Sequence, residues 1–207
     1  NGPISKKDFL NFKFPGITEY IFNKSKKKLS KEPTMVIFNK KFSVTPITTH
    51  VPLKNVNKII TEKKIINSVL LIDKFYKNYL KYKPNIAILG LNPHCETSLK
   101  HNEEDKIIRP AIKKLINKNI NVNGPFSADT FFIKENISKY NSVIGMYHDQ
   151  VLTPFKTIYG FDASNITLGL PFLRLSVDHG PNEKMLGKNK SNTNSLENIF
   201  NFINSIK

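Results

Sequence analysis

The side chains most able to do chemistry in this 207-residue chain are its five histidines, His50, His94, His101, His148 and His179. Imidazole is both the usual acid–base group near neutral pH and the commonest metal ligand. The separations are long and match no compact metal motif such as HExxH, so spacing alone defines no metal site. Position says more. Thr48-Thr49-His50, Asn92-Pro93-His94 and Tyr147-His148-Asp149 each place a histidine just after a strand candidate. Ligand sites of α/β sheets lie beyond the carboxyl ends of strands. Asp149 is placed to orient its neighbour His148. Arg174 is the second feature. Only two of the 32 basic residues are Arg, Arg109 and Arg174, and a guanidinium grips phosphate or carboxylate with two parallel hydrogen bonds. Its plainer reading is a surface ion pair. Lys156 follows His148 in the chain and reads either as a site residue or as one of many solvated lysines. Cys95, the only cysteine, reads as a small half-buried loop residue rather than a nucleophile.

These residues need a scaffold. Thr34 to Asn39 and Ser43 to Thr49 are apolar, β-branched strand candidates, the second interrupted by Pro46, which suggests an edge strand or bulge. Thr61 to Leu80 carries apolar residues at helical spacing behind an N-capping Thr61. Asn85 to Leu91 reads as a buried strand and Glu103 to Lys118 as a helix with acidic residues in its first turn. Ser127 to Asn136 reads as a short helix capped by Ser127. Ser142 to Tyr147, Asn165 to Leu170 and Leu173 to Val177 are further strands, and Leu196 to Ile206 is a closing helix. Alternation of strands and helices predicts an α/β fold with a largely parallel sheet.

Several classes fall away. The chain has no GxGxxG, no GxxxxGK[ST] and no GxSxG, so neither a Rossmann fingerprint, a P-loop nor a nucleophile elbow is present. The formal net charge of +16 invites nucleic acid. Apart from Lys26-Lys27-Lys28, however, the lysines are dispersed rather than gathered on one stripe, which argues against it. The charge still favours anionic ligands. No apolar run reaches the roughly 18 to 20 residues that span a bilayer. A single cysteine suits a reducing cytoplasm.

Longer blocks extend the reading. They are Thr48-Thr49-His50-Val51-Pro52-Leu53, Gly90-Leu91-Asn92-Pro93-His94, Asn123-Gly124-Pro125 with Ala128-Asp129-Thr130, and Met146-Tyr147-His148-Asp149-Gln150. Two more are Asn165 through Phe172, and Arg174 with Ser176-Val177-Asp178-His179-Gly180. Together they resemble the 4-hydroxythreonine-4-phosphate dehydrogenase family over nearly the whole chain. The resemblance implies an isocitrate/isopropylmalate-dehydrogenase-like two-domain α/β/α fold, lacking roughly its N-terminal third. Residues 16–140 would form the metal and dimer side, and 1–15 with 141–207 the remaining part of the NAD side.

It further implies that His50, His94 and His148 hold one divalent metal in a site shared between two subunits of a homodimer. Three nitrogen ligands favour zinc, with magnesium, manganese or cobalt as alternatives. Thr18, Lys156, Asn165 and Arg174 would contact the substrate. Asp178, His179 and Gly180 would bind NAD or NADP, and Lys156 and Asp149 are the candidate catalytic acid–base groups. The implied reaction oxidises 4-phosphooxy-L-threonine, with decarboxylation to 3-amino-2-oxopropyl phosphate, in pyridoxal-phosphate synthesis. Two departures keep other readings open. Ile17 stands where the family pattern has a histidine, and Cys95 through Lys100 contains none of the family's glycines. A paralogous threonate or erythronate phosphate dehydrogenase, or a silent binding relative, fits those departures.

Overall fold

A computed structural model of the chain describes residues 13–14, 16–25, 32–40, 42–96, 102–178, 185 and 187–206. Eight α-helices and seven strands are found among them. In order they are α1 (Ile17–Ser25), β1 (Thr34–Phe38), β2 (Ser43–Thr48), α2 (Val56–Ile59), α3 (Glu62–Phe75), β3 (Ile86–Leu89) and α4 (Arg109–Ile116). There follow β4 (Val122–Phe126), α5 (Ala128–Phe131), α6 (Lys134–Ile137), β5 (Ser142–Tyr147), α7 (His148–Tyr159), β6 (Ser164–Leu168), β7 (Arg174–Val177) and α8 (Asn194–Ser205).

All seven strands join one sheet in the order β4-β3-β5-β2-β1-β6-β7. Pairs β4/β3, β3/β5 and β5/β2 are parallel, whereas β2/β1, β1/β6 and β6/β7 are antiparallel. The α/β class stands, but the sheet is half antiparallel rather than largely parallel. The chain turns straight back from β1 into β2 and from β6 into β7, and connections this short can only make antiparallel pairs. β5 lies between β3 and β2, so the sheet runs unbroken across residues 140–141.

Strand alternation sorts the core into two layers. Val36, Phe38, Ile86, Ile88, Ile144, Met146, Ile166 and Leu168 face one way, against Ile65, Val69, Ile72 and Phe75 of α3 and Ala111 and Leu115 of α4. Ile37, Val44, Ala87, Leu89 and Val143 face the other way, against Val151, Leu152 and Phe155 of α7. α3 forms as its sequence predicts: the Thr61 hydroxyl accepts from the Lys64 N–H at 3.3 Å, and Ile65, Val69 and Ile72 recur on one face.

Two local expectations fail and one further helix forms that no local pattern announces, each for a physical reason. β2 is an internal strand despite Pro46. Its ladder with β1 ends at Val44, so no β1 residue needs the donor that Pro46 lacks. Ser127 does not cap one helix, because its hydroxyl donates to Asp129 at 2.5 Å instead and two four-residue helices follow. α7 is a full helix that propensity hides, because Pro154 lies inside it and removes a helical donor. Burial of Val151, Leu152 and Phe155 offsets that loss, and Gly160, at φ 57°, ends the helix where a side chain would be strained.

Candidate active site

The parallel half of the sheet does the gathering. β4, β3, β5 and β2 run the same way, and their carboxyl ends lead in that spatial order to Asp129, His94, His148 and His50. His50 and His148, on neighbouring strands, stand with ring centroids 6.1 Å apart. Two imidazoles sharing one ion, each nitrogen about 2.0 Å from it, place their ring centres at this general separation.

Each of the three rings presents Nδ1 to a carboxylate. Asp149 Oδ1 lies 2.6 Å from His148 Nδ1, Glu19 Oε1 lies 3.7 Å from His50 Nδ1, and Asp129 Oδ2 lies 3.8 Å from His94 Nδ1. Only the first is a hydrogen-bond distance, and the other two are ion-pair distances. A carboxylate at one ring nitrogen holds the other as a ligand, so the donor set fits a divalent ion on chemical grounds. Convergence is incomplete within one copy. Among the described residues, no three His, Cys, Asp or Glu side chains come close enough to hold an ion. His94 lies on the β4 side, towards Asp129, and not with the other two.

The antiparallel half carries Arg174 and the polar side chains beside it. Asn165 and Thr167 alternate with the core residues Ile166 and Leu168, and Arg174 pairs across from Thr167. These three side chains therefore share the α7 face of the sheet. Arg174 is half-buried and donates from Nη1 to Thr167 Oγ1 at 3.0 Å and to Thr18 Oγ1 at 3.4 Å. Arg174 Nε, Asn165 Oδ1 and Glu19 Oε2 are buried with no hydrogen-bond partner. Burial draws the Arg174 guanidinium below its usual pKa, and the nearby Glu19 charge opposes that.

Glu19 links the two halves. It sits one residue after Thr18, accepts from Thr49 Oγ1 at 3.2 Å and faces His50. Burial pushes its carboxyl up, but His50, Thr49 and a backbone N–H outweigh burial and hold it below the usual value. Thr18, Glu19, Thr49 and His50 help to line a cavity of about 290 Å³. A larger cavity of about 580 Å³, between α3 and the loop after β6, contains no histidine, arginine or carboxylate.

Lys156, on α7, donates to the Asp178 carboxylate at 2.8 Å and to the Asp178 carbonyl at 3.0 Å. The residue expected at substrate and the one expected at cofactor are thus each other's partners. His101, His179 and Gly180 lie outside the described residues, as do residues 97–100. Cys95 is buried, and burial raises its thiol above the usual pKa, which suits a packing role.

Sequence reasoning passed over Glu19, Glu104 and Gln150. Gln150 accepts from the Met146 N–H and donates to the Gly90 carbonyl, both at 2.7 Å, and so ties the end of β5 to the end of β3. Glu104 lies three residues beyond that undescribed stretch, and its only sequence signal is membership of an acidic helix start.

Fold and site together define an α/β protein with imidazoles at the carboxyl ends of its parallel strands and a half-buried arginine among polar side chains on the adjoining antiparallel ones. The family described as pyridoxal phosphate biosynthetic protein PdxA matches residues 1–203, and the chain belongs to it. It is 44% identical over 197 residues to 4-hydroxythreonine-4-phosphate dehydrogenase of Sulfurihydrogenibium sp. (strain YO3AOP1), covering 93% of this chain and 60% of that protein. It is 40% identical over 189 residues to the Bradyrhizobium diazoefficiens protein of the same name, covering 89% and 54%. The solved 4-hydroxythreonine-4-phosphate dehydrogenase of Klebsiella pneumoniae superposes with a TM-score of 0.81 at 31% identity, over 97% of this chain and 63% of that one. The chain therefore spans little more than half the length of the relatives it matches.

Proposed function

We propose that the protein is a metal-dependent NAD(P) dehydrogenase that oxidises 4-phosphooxy-L-threonine and releases 3-amino-2-oxopropyl phosphate and carbon dioxide, in pyridoxal-phosphate synthesis. The observation that carries this reading is the chain of contacts Arg174–Thr18, Glu19–His50 and His50–His148, which joins an anion-binding face to two imidazoles. Family membership supports the same activity, which the Sulfurihydrogenibium relative bears in its name.

Arg174, with Thr18 and Asn165 beside it, binds the substrate's anionic end. The unpartnered Arg174 Nε and Asn165 Oδ1 supply a donor and an acceptor for it. His50, His94 and His148 would hold the divalent ion, zinc by ligand type. When bound, that ion lowers the pKa of a substrate hydroxyl and stabilises negative charge as the carboxylate leaves. NAD or NADP, when bound, would supply the acceptor for the C3 hydrogen as hydride. The hydroxyl proton goes to a basic side chain, for which Asp149 and Lys156 are the candidates. Carbon dioxide then departs, and a proton replaces it on carbon. Asp178, with His179 and Gly180 beyond it, serves the nucleotide. Because His94 stands apart from the other two imidazoles, a complete site takes His94 from a second copy, as a homodimer with a shared active site. A reducing cytoplasm, which suits a lone cysteine, is the proposed compartment.

Ile17, beside Thr18 at the start of α1, favours a second reading, oxidation of a four-carbon phospho-acid such as a threonate or erythronate phosphate. Production of reduced nicotinamide on 4-phosphooxy-L-threonine and on those acids, by the full-length protein with added zinc or cobalt, tests both. Turnover of the amino acid phosphate is expected. Turnover of a four-carbon acid alone would overturn the choice, and failure on every substrate would leave a binding protein.

A further inference from the structure

The turn that carries His94 is an improbable piece of backbone. His94 and Cys95 lie at φ 55° and 58°, two successive side-chain-bearing residues in the left-handed region, where a Cβ crowds the following carbonyl. The turn follows Gly90, where an added Cβ would stand 2.6 Å from Cys95 Sγ and 3.0 Å from Glu104 Oε1. Such a conformation persists only where its surroundings dictate it.

What dictates it here is Glu104, a carboxylate that is 0% exposed. Glu104 begins a wide π turn, Glu104–Ile108, that leads into α4. Its Oε1 accepts from the Leu91 N–H at 2.7 Å and the Asn92 N–H at 2.8 Å, and its Oε2 accepts from Asn92 Nδ2 at 2.8 Å. Two successive backbone donors aimed at one oxygen fix the direction in which the chain leaves β3. Asn92 in turn closes the turn, its carbonyl accepting from the Cys95 N–H at 3.1 Å. The three bonds to Glu104 hold Leu91 and Asn92, and the closure at Asn92 passes that constraint on to His94.

We propose that Glu104 is the positioning residue of His94: its buried carboxylate imposes the left-handed turn and thereby the direction of the imidazole. Glu104 touches neither His94 nor any ligand. Its role is geometric, carried by an acceptor of the right reach, and not by charge. Two substitutions separate these. Glu104→Gln keeps one oxygen of the same reach for both N–H groups, and the Asn92 amide can reverse to meet its NH₂, giving up its bond to Glu103 Oε2 at 2.9 Å. Glu104→Asp keeps the charge but withdraws the acceptor by one methylene. Asn92→Ala, a third variant, removes the side-chain grip on Oε2 together with that bond to Glu103.

The inference rests on the metal reading for its function but not for its geometry, so the full chain is tested on both. Cobalt(II) alone is titrated, with its visible absorption as readout and His94→Ala as the reference for loss. In parallel, amide exchange at Leu91 and Asn92 and the His94 ring proton resonances are followed in metal-free protein. Glu104→Asp is expected to weaken cobalt binding by about 10- to 100-fold, the range for outer-shell partners of ligands. It should also raise exchange at both amides and shift the His94 ring signals. Glu104→Gln is expected to stay near wild type in all three, with Asn92→Ala in between.

If wild type and His94→Ala take up cobalt alike, the metal reading fails, and Glu104 is judged by exchange and ring signals alone. Wild-type exchange and ring signals in Glu104→Asp would overturn the proposal. So would losses in folded Glu104→Gln as large as or larger than those in Glu104→Asp, since an acceptor of the right reach would then not suffice. Should Glu104→Asp not fold, unchanged His94 ring signals in Asn92→Ala would overturn it instead.

Discussion

The turn at the end of β3 and the face formed by β6 and β7 treat buried polar groups in opposite ways. Around His94, the buried carboxylate of Glu104 meets three donors, and the Gly90 carbonyl meets Gln150. Around Arg174, three buried polar atoms, Arg174 Nε, Asn165 Oδ1 and Glu19 Oε2, meet none. A buried polar group left alone costs free energy, about 1–3 kcal/mol apiece. The first region uses its polar groups to hold a shape. The second keeps some in reserve, which is how a site looks when its partner is a ligand rather than the protein itself.

That contrast can be broken by substitution. The largest effect is expected for Glu104→Leu, which strands two backbone N–H groups and leaves the Asn92 amide only its bond to Glu103. Urea unfolding should show a loss of about 2–5 kcal/mol, given about 1–3 kcal/mol per abandoned buried donor. A stability near wild type would mean that the turn holds itself. Arg174→Ala should do the reverse. Its removal relieves a half-buried charge and should leave the unfolding midpoint nearly unchanged. Phosphate or substrate affinity, read by calorimetry on the full-length protein, should fall about 10- to 100-fold, the value of a hydrogen bond to a charged group. Arg174→Lys should recover only part, because an ammonium lacks the planar fork.

A smaller effect separates the two regions by pH. Burial raises the Glu104 carboxyl, but hydrogen bonds from Asn92 and Leu91 outweigh it and leave the pKa below its ordinary 4.5. A group depressed in the folded state stabilises above its unfolded pKa, and that stability is lost as pH falls through the folded value. Wild type should therefore lose urea resistance below about pH 4.5 more steeply than Glu104→Gln, with the two profiles parallel above it. Equal acid slopes would show that the carboxylate is not held as described. The smallest effect belongs to the other arginine. Arg109 pairs with Asp105 at 3.1 Å on an exposed helix face, and Asp105→Ala should shift stability by no more than about 0.5 kcal/mol. Of the two arginines, one is thus the ordinary surface pair and the other half-buried with an unpartnered Nε, a distinction composition could not draw.

Much was legible in the residues themselves. Continuous apolar runs placed β1, β3 and β5, the 3.6-residue stripe and Thr61 placed α3, and strand-end position singled out His50, His94 and His148, because these are short-range effects written in consecutive side chains. Long motif blocks carried the family. Tertiary structure alone decided the rest. The half-antiparallel sheet depends on which strands meet, α7 forms around Pro154 because its apolar face is buried, and β2 tolerates Pro46 because β1 has already left it. Glu19, Gln150 and Glu104 matter through partners 30, 60 and 12 to 13 residues away. No local pattern encodes such contacts, since they exist only once the strands have been brought side by side.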